Sequence, residues 1–101
     1  GKFWDFHDGL FDAEVADGQE HNGNLNRTLF MKLAKDVQLD EQKFASCVDG
    51  KTYDQYVQDQ TKDASTRYGV NSTPTIFVND QKVEGAYPFS TFQEIIDGFL
   101  R

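Results

Sequence analysis

The sequence predicts a mixed α/β fold in which helices precede a β-hairpin and one helix follows it, an α+β arrangement over these residues. Three observations lead to this prediction. Apolar residues recur every three or four positions up to Tyr68, as they do along helix faces. Thr75–Val78 is then a run of β-branched and aromatic residues, which is typical of a strand. The helical spacing returns after Ser90.

The first helix is predicted over residues 2–13, where six apolar or ring-bearing residues share helical spacing. Its aromatic side chains are expected to lie in the core, with exposed apolar surface as the alternative. A loop is expected from Ala16 to Asn24, a stretch with two glycines and no apolar period. The residues that carry the helical pattern are Phe3, Trp4, Phe6, His7, Leu10 and Phe11.

Two shorter helices are predicted next. The second runs from Leu25 to near Gln38, and Asn24 is its expected N-cap because an Asn side chain accepts from free backbone N–H groups. The third begins after Asp40 as N-cap and carries Cys47. We expect Gly50 to end it in the left-handed conformation.

The fourth helix is expected to be long and to lead into the hairpin. Its apolar stripe starts near Tyr53, and Gly69 provides the stop. Pro74 then opens the first strand, since proline cannot donate to a sheet ladder and belongs at a strand's first residue or edge. Asn79-Asp80 supplies turn chemistry, and residues 82–84 return as the second strand.

The closing helix is predicted from a capping box. Ser90 is the expected N-cap and Gln93 is the polar residue three positions later. The helix is expected to bury its apolar side, which consists of Phe92, Ile95, Ile96, Phe99 and Leu100.

Composition limits the function classes. A length of 101 residues suits one domain, which we expect to divide into a helical part at 1–69 and a hairpin-plus-helix part at 70–101. The formal net charge of −7 repels phosphate, so we expect neither nucleic acid nor a membrane as partner. His7 and His21 stand at no recognised ligand spacing, and we expect no metal and no cofactor. The first residues show no signal-peptide pattern, and the chain reads as the middle of a longer protein.

The segment around Thr73-Pro74 is the most specific motif. It combines a helix-stopping Gly69, a Thr-Pro step and a strand, and a cis peptide is essentially a proline feature. It resembles the cis-proline segment and following strands of the DsbA-like thioredoxin-fold family, and three further stretches resemble that family's helices. The four stretches are GVNSTPTIFVNDQKVEGAYP, GKFWDFHDGLF, LAKDVQLDEQKFASCVDG and FSTFQEIIDGFL.

The resemblance implies a thioredoxin-like fold with a helical insertion and thiol–disulfide exchange outside the cytoplasm, in the periplasm, at the cell surface or in a secreted protein. Ser72, Thr73 and Pro74 would then bind protein or peptide thiol and disulfide substrates, with a cis peptide before Pro74. The family's Cys-X-X-Cys is absent from these residues and is expected before residue 1. The chain alone is therefore expected to be redox-inactive, and whether it is an enzyme stays open.

Two other functions and one assembly remain open. A non-catalytic module could use the proline loop to dock peptides along a strand edge. Cys47 could act as a sole nucleophile if His7 or His21 folded against it, although a free cysteine usually behaves as a small buried apolar residue. Unpaired strand edges or apolar faces also predict a homodimer.

Overall fold

The computed structural model describes residues 1–19 and 21–101, so Glu20 of the expected loop lies outside the described residues. Helices precede an antiparallel hairpin and a last helix follows it, which confirms the predicted element order. The chain forms two compact units, Gly1–Gln55 and Tyr56–Arg101. The elements are α1 (Phe3–Asp17), α2 (Arg27–Asp36), α3 (Glu41–Asp49), α4 (Asp54–Tyr68), β1 (Thr75–Val78), β2 (Gln81–Glu84) and α5 (Phe89–Leu100).

In the first unit α2 packs against both α1 and α3. Its Leu33 and Ala34 are buried, and Leu33 meets α1 at Gly9. A Cβ atom placed on Gly9 would lie 2.7 Å from Leu33 Cδ2, so this glycine permits the close approach of the two helices. The rings of Phe6 and Phe44, with centroids 5.3 Å apart, join α1 to α3.

The helix ends in this unit differ from the predicted ones. α1 continues past residue 13 to Asp17, because no glycine or proline occurs between residue 13 and Gly18, which ends it with a φ of 66°. Asn26, rather than Asn24, is the N-cap of α2, and its Oδ1 accepts from the Leu29 N–H at 3.1 Å. The Asn24 side chain is instead directed at α1, where its Nδ2 donates to the Ala13 carbonyl at 3.4 Å.

The predicted start of α3 is confirmed and its predicted end is wrong in detail. Asp40 caps α3, and its Oδ1 accepts from the Lys43 N–H at 3.0 Å. Gly50 follows α3 with a φ of −78°, and the left-handed residue is Lys51, with a φ of 50°. Gly50 is needed for space, since a Cβ atom there would lie 2.8 Å from the Ser46 carbonyl oxygen.

The second unit contains the hairpin, the adjoining part of α4 and α5. Gly69 ends α4 with a φ of 64°, as predicted. Val78 pairs with Gln81, which leaves the predicted two-residue turn at Asn79–Asp80. Val83 of β2 is buried, and α5 contacts β1.

The capping box predicted for α5 is wrong. The N-cap is Pro88, whose carbonyl accepts from the Thr91 N–H at 3.0 Å, and Ser90 lies inside the first turn. Pro88 has an extended ψ of 154°, and no side-chain cap hydrogen bond forms at this helix start. The apolar side of α5 is also less buried than expected, since Ile96, Phe99 and Leu100 are exposed while Phe92 and Ile95 are half-buried.

The expectation that the α1 aromatics form a core is wrong for all but one of them. Phe6 is half-buried against Phe44, whereas Phe3, Trp4 and Phe11 are exposed by 70%, 68% and 60%. These three exposed rings are here called the α1 aromatic face. They lie on the same helix as the residues that pack against α2 and α3. In the described part of the chain the buried apolar residues are Leu33, Ala34 and Val83.

Candidate substrate-binding loop

The candidate site is the connection between α4 and β1, residues 69–74, here called the docking loop. It contains the three residues that the resemblance assigns to substrate binding. Ser72, Thr73 and Pro74 are all exposed, and the Thr73–Pro74 peptide bond is cis. The loop lies wholly within the second unit.

The first end of the docking loop is fixed by the end of α4. The Gly69 N–H donates to the Ser65 carbonyl at 3.2 Å, and the Val70 N–H donates to the Ala64 carbonyl at 3.0 Å. These bonds satisfy helix-terminal carbonyls, which is how a left-handed glycine closes a helix. The Gly69 carbonyl itself accepts from Asn71 Nδ2 at 3.2 Å and from Lys82 Nζ at 3.1 Å.

The second end of the docking loop is fixed by the hairpin. Thr75 Oγ1 donates to the Ser72 carbonyl at 2.6 Å, and the Gly85 N–H donates to the Pro74 carbonyl at 2.9 Å. The latter bond extends the hairpin pairing by one residue beyond Thr75. Between these anchors, the backbone N–H and carbonyl of Thr73 have no hydrogen-bond partner in residues 1–19 and 21–101.

An open cleft of about 540 Å³ lies in the same unit, between α4 and β1. Tyr68 and Phe77 line it, with ring centroids 6.2 Å apart. It extends from Val70 at the start of the docking loop to Asn79–Asp80 at the turn of the hairpin, and it does not include Thr73 or Pro74.

The first unit carries the cysteine and histidine residues. Cys47 is half-buried on α3. The His7 ring lies between Trp4 and Phe11, with centroid distances of 5.1 and 4.7 Å, and His21 is exposed. No contact joins either histidine to Cys47 among the residues described, and within them no group of His, Cys, Asp and Glu is arranged to hold a metal ion.

An ion pair that was not predicted from the sequence joins α2 and α3. Arg27 Nε and Nη2 donate to the two carboxylate oxygens of Asp49 at 2.7 and 2.8 Å. Hydrogen bonding by the guanidinium lowers the pKa of Asp49, and the same pair raises the pKa of Arg27. Such a contact joins residues 22 positions apart, so no local spacing signals it.

Comparison with known proteins identifies the family of the chain. A family model described as Thioredoxin matches residues 2–98. The curated relative Disulfide bond formation protein D of Bacillus subtilis (strain 168) is 27% identical over 100 residues, which cover 98% of this chain and 43% of the relative. The chain thus spans less than half the length of that relative. No solved structure matches with significant similarity. Of the helices described, none is long and apolar enough to cross a membrane.

Proposed function

Because the chain belongs to the thioredoxin family and is DsbA-like, we propose that it forms the substrate-binding part of a protein thiol–disulfide oxidoreductase. The docking loop receives an extended segment of a substrate protein. The redox cysteines come from a part of the protein outside these residues. The observation that carries the proposal is the exposed Thr73 backbone, whose N–H and carbonyl lack partners within the part of the chain that the structure describes.

An exposed backbone held at both ends is suited to pairing with another extended chain. Backbone N–H and carbonyl groups that are not paired internally form hydrogen bonds to a peptide without regard to its side chains. The bonds to the Ser72 and Pro74 carbonyls hold the neighbours of Thr73 in place, so little ordering is needed on binding. This mode suits an enzyme that acts on many protein thiols.

The exposed apolar residues of β1 support a role as part of a larger fold. Ile76 and Phe77 point to opposite faces of the hairpin and are exposed by 38% and 43%. Strands that are apolar on both faces are typical of sheets covered on both sides. We propose that further parts of the protein cover these faces, with 1–101 belonging to one thioredoxin-like domain.

We further propose that the chain alone does not turn over disulfides. Exchange needs an attacking thiolate and a resolving thiol, whereas the sequence contains one cysteine. Cys47 lies on α3 in the first unit, and the docking loop lies in the second. The complete protein is proposed to act outside the cytoplasm on protein or peptide thiols and disulfides.

The second candidate is a non-catalytic module that docks peptides. The same free Thr73 backbone favours it, because backbone pairing does not require a cysteine. The two functions differ in whether the complete protein carries a cysteine pair that faces the loop.

The peptide-docking step common to both is tested by nuclear magnetic resonance titration of the chain with an extended peptide. We expect saturable shifts of the Thr73 amide and of its loop neighbours, while the amides of residues 21–25 stay unchanged. Thr73→Val keeps the backbone donor and should retain binding, whereas Thr73→Pro removes the donor and should weaken it. Shifts elsewhere, or equal binding by both variants, would reject the docking loop as the site.

A further inference from the structure

We infer that Lys82 is a positioning residue for the docking loop. Lys82 lies in β2, outside the loop, and it is not proposed to contact the substrate. Its ammonium group ties β2, the second strand of the hairpin, to the residue that begins the loop, and so holds the Thr73 backbone where a peptide can pair with it. This inference rests on the proposed function and adds a residue that controls the same site.

The Lys82 ammonium group joins two elements, β2 and the end of α4. Lys82 lies in β2, directly across from Phe77 of β1. Its Nζ donates to the Gly69 carbonyl at the end of α4 at 3.1 Å. It also lies 3.1 Å from Glu84 Oε1, two residues along the same strand. The side chain is 35% exposed, and so it is partly shielded from water.

The Gly69 carbonyl is a favourable place for a cation. The carbonyl groups at a helix C-terminus carry the negative end of the helix dipole, and a lysine ammonium there is stabilising. α4 itself supplies Arg67 in its last turn, but Arg67 pairs with Asp63 and its guanidinium lies over the Tyr68 ring. Lys82 therefore provides the cation that reaches the carbonyl of Gly69 from outside the helix.

Loss of the Lys82 ammonium group should loosen one end of the loop and leave the other end fixed. The Gly85–Pro74 and Thr75–Ser72 bonds fix the loop where it enters the hairpin. Without the Lys82 ammonium, the Gly69 carbonyl retains only the short-range bond from Asn71 Nδ2, which moves with the loop. The first end of the loop then samples more conformations, and a peptide that binds must order them.

Lys82→Met tests the inference because it keeps an unbranched side chain and removes the donor. Lys62→Met on exposed α4 is the matched control, and Lys82→Arg restores a cationic donor. We expect Lys82→Met to speed amide exchange at Gly69 and Val70, and to weaken peptide binding by about five-fold, the effect of losing one charge-assisted hydrogen bond at a half-exposed site. Lys62→Met should change neither quantity, and Lys82→Arg should recover most of the binding.

The outcomes distinguish a local role of Lys82 at the loop from a general role in stability. Faster exchange confined to residues 69–74, together with weaker binding and recovery by Lys82→Arg, supports the positioning role. Unchanged exchange in Lys82→Met overturns it. Faster exchange throughout the second unit also overturns it, because the residue would then serve general stability. If the unmodified chain binds no peptide, the proposed function fails, while the exchange measurements still decide whether Lys82 orders the loop.

Discussion

Replacing Leu33 with alanine tests the packing on which the first unit depends. Leu33 is 8% exposed, and its Cδ2 fills the space that Gly9 leaves on α1. The change removes roughly three methylene-sized groups at about 0.8 kcal/mol each, or about 2.4 kcal/mol of transfer free energy. Incomplete closure of the resulting cavity raises the cost, and buried Leu→Ala changes fall in the range of about 2–5 kcal/mol. We expect a loss of about 3 kcal/mol in the free energy of unfolding.

Urea unfolding followed by Trp4 fluorescence and helical circular dichroism measures this loss. Trp4 is the one tryptophan in the sequence and lies on α1, the helix that Leu33 contacts, so its signal follows the unfolding of that helix. The matched control is Leu100→Ala, because Leu100 is 78% exposed and should cost less than about 0.5 kcal/mol. A loss below about 1 kcal/mol for Leu33→Ala, or equal losses for the two variants, would refute the described contact between α1 and α2.

Three further predictions concern α1, the ion pair and self-association. Gly9→Ala and Gly98→Ala both gain helix propensity, worth up to about 1 kcal/mol, but a Cβ atom at Gly9 would lie 2.7 Å from Leu33 Cδ2, whereas one at Gly98 meets no atom within 4 Å. Gly9→Ala should therefore melt at a lower temperature than Gly98→Ala. Because the pKa of Asp49 is lowered in the folded state, its ion pair contributes to stability at pH values above the unfolded-state pKa near 4. This contribution is lost as pH falls through the lower folded-state pKa. In Arg27→Gln the Asp49 pKa should therefore rise in a carboxyl titration by nuclear magnetic resonance, and an unchanged value would contradict the pairing. A homodimer through the α1 aromatic face should strengthen with salt, since copies with a net charge of −7 repel, and sedimentation that shows a monomer at all salt concentrations would exclude it.

Local signals predicted the element order, and longer-range contacts decided the details. The strand at Thr75–Val78 and the stop at Gly69 follow from residue types whose backbone preferences act over one or two positions. The N-cap of α2 could not be predicted from residue type, because Asn24 and Asn26 are equally good caps in isolation. The choice depends on a contact of Asn24 with Ala13 of the preceding helix.

Burial was the least predictable property. Helical spacing marks Phe3, Trp4 and Phe11 as apolar, but it does not say whether a partner element is present to cover them. In the described residues they stay exposed, while Gly9, which has no side chain, makes the closest approach to Leu33.

For the candidate site, the sequence identified Ser72, Thr73 and Pro74 through resemblance, and their role in binding remains a prediction. The contacts that hold the loop were not predicted. The Lys82–Gly69 bond spans 13 positions and depends on the hairpin register, which brings Lys82 opposite Phe77.

The most direct test of the central claim is insulin reduction by this chain and by the full-length natural protein that contains it. We expect activity only in the full-length protein, and loss of that activity when the cysteine pair proposed to lie outside these residues is replaced. Inactivity of both proteins would contradict the oxidoreductase assignment and leave the peptide-docking module. Activity in the chain alone would contradict the claim that Cys47 cannot support exchange by itself.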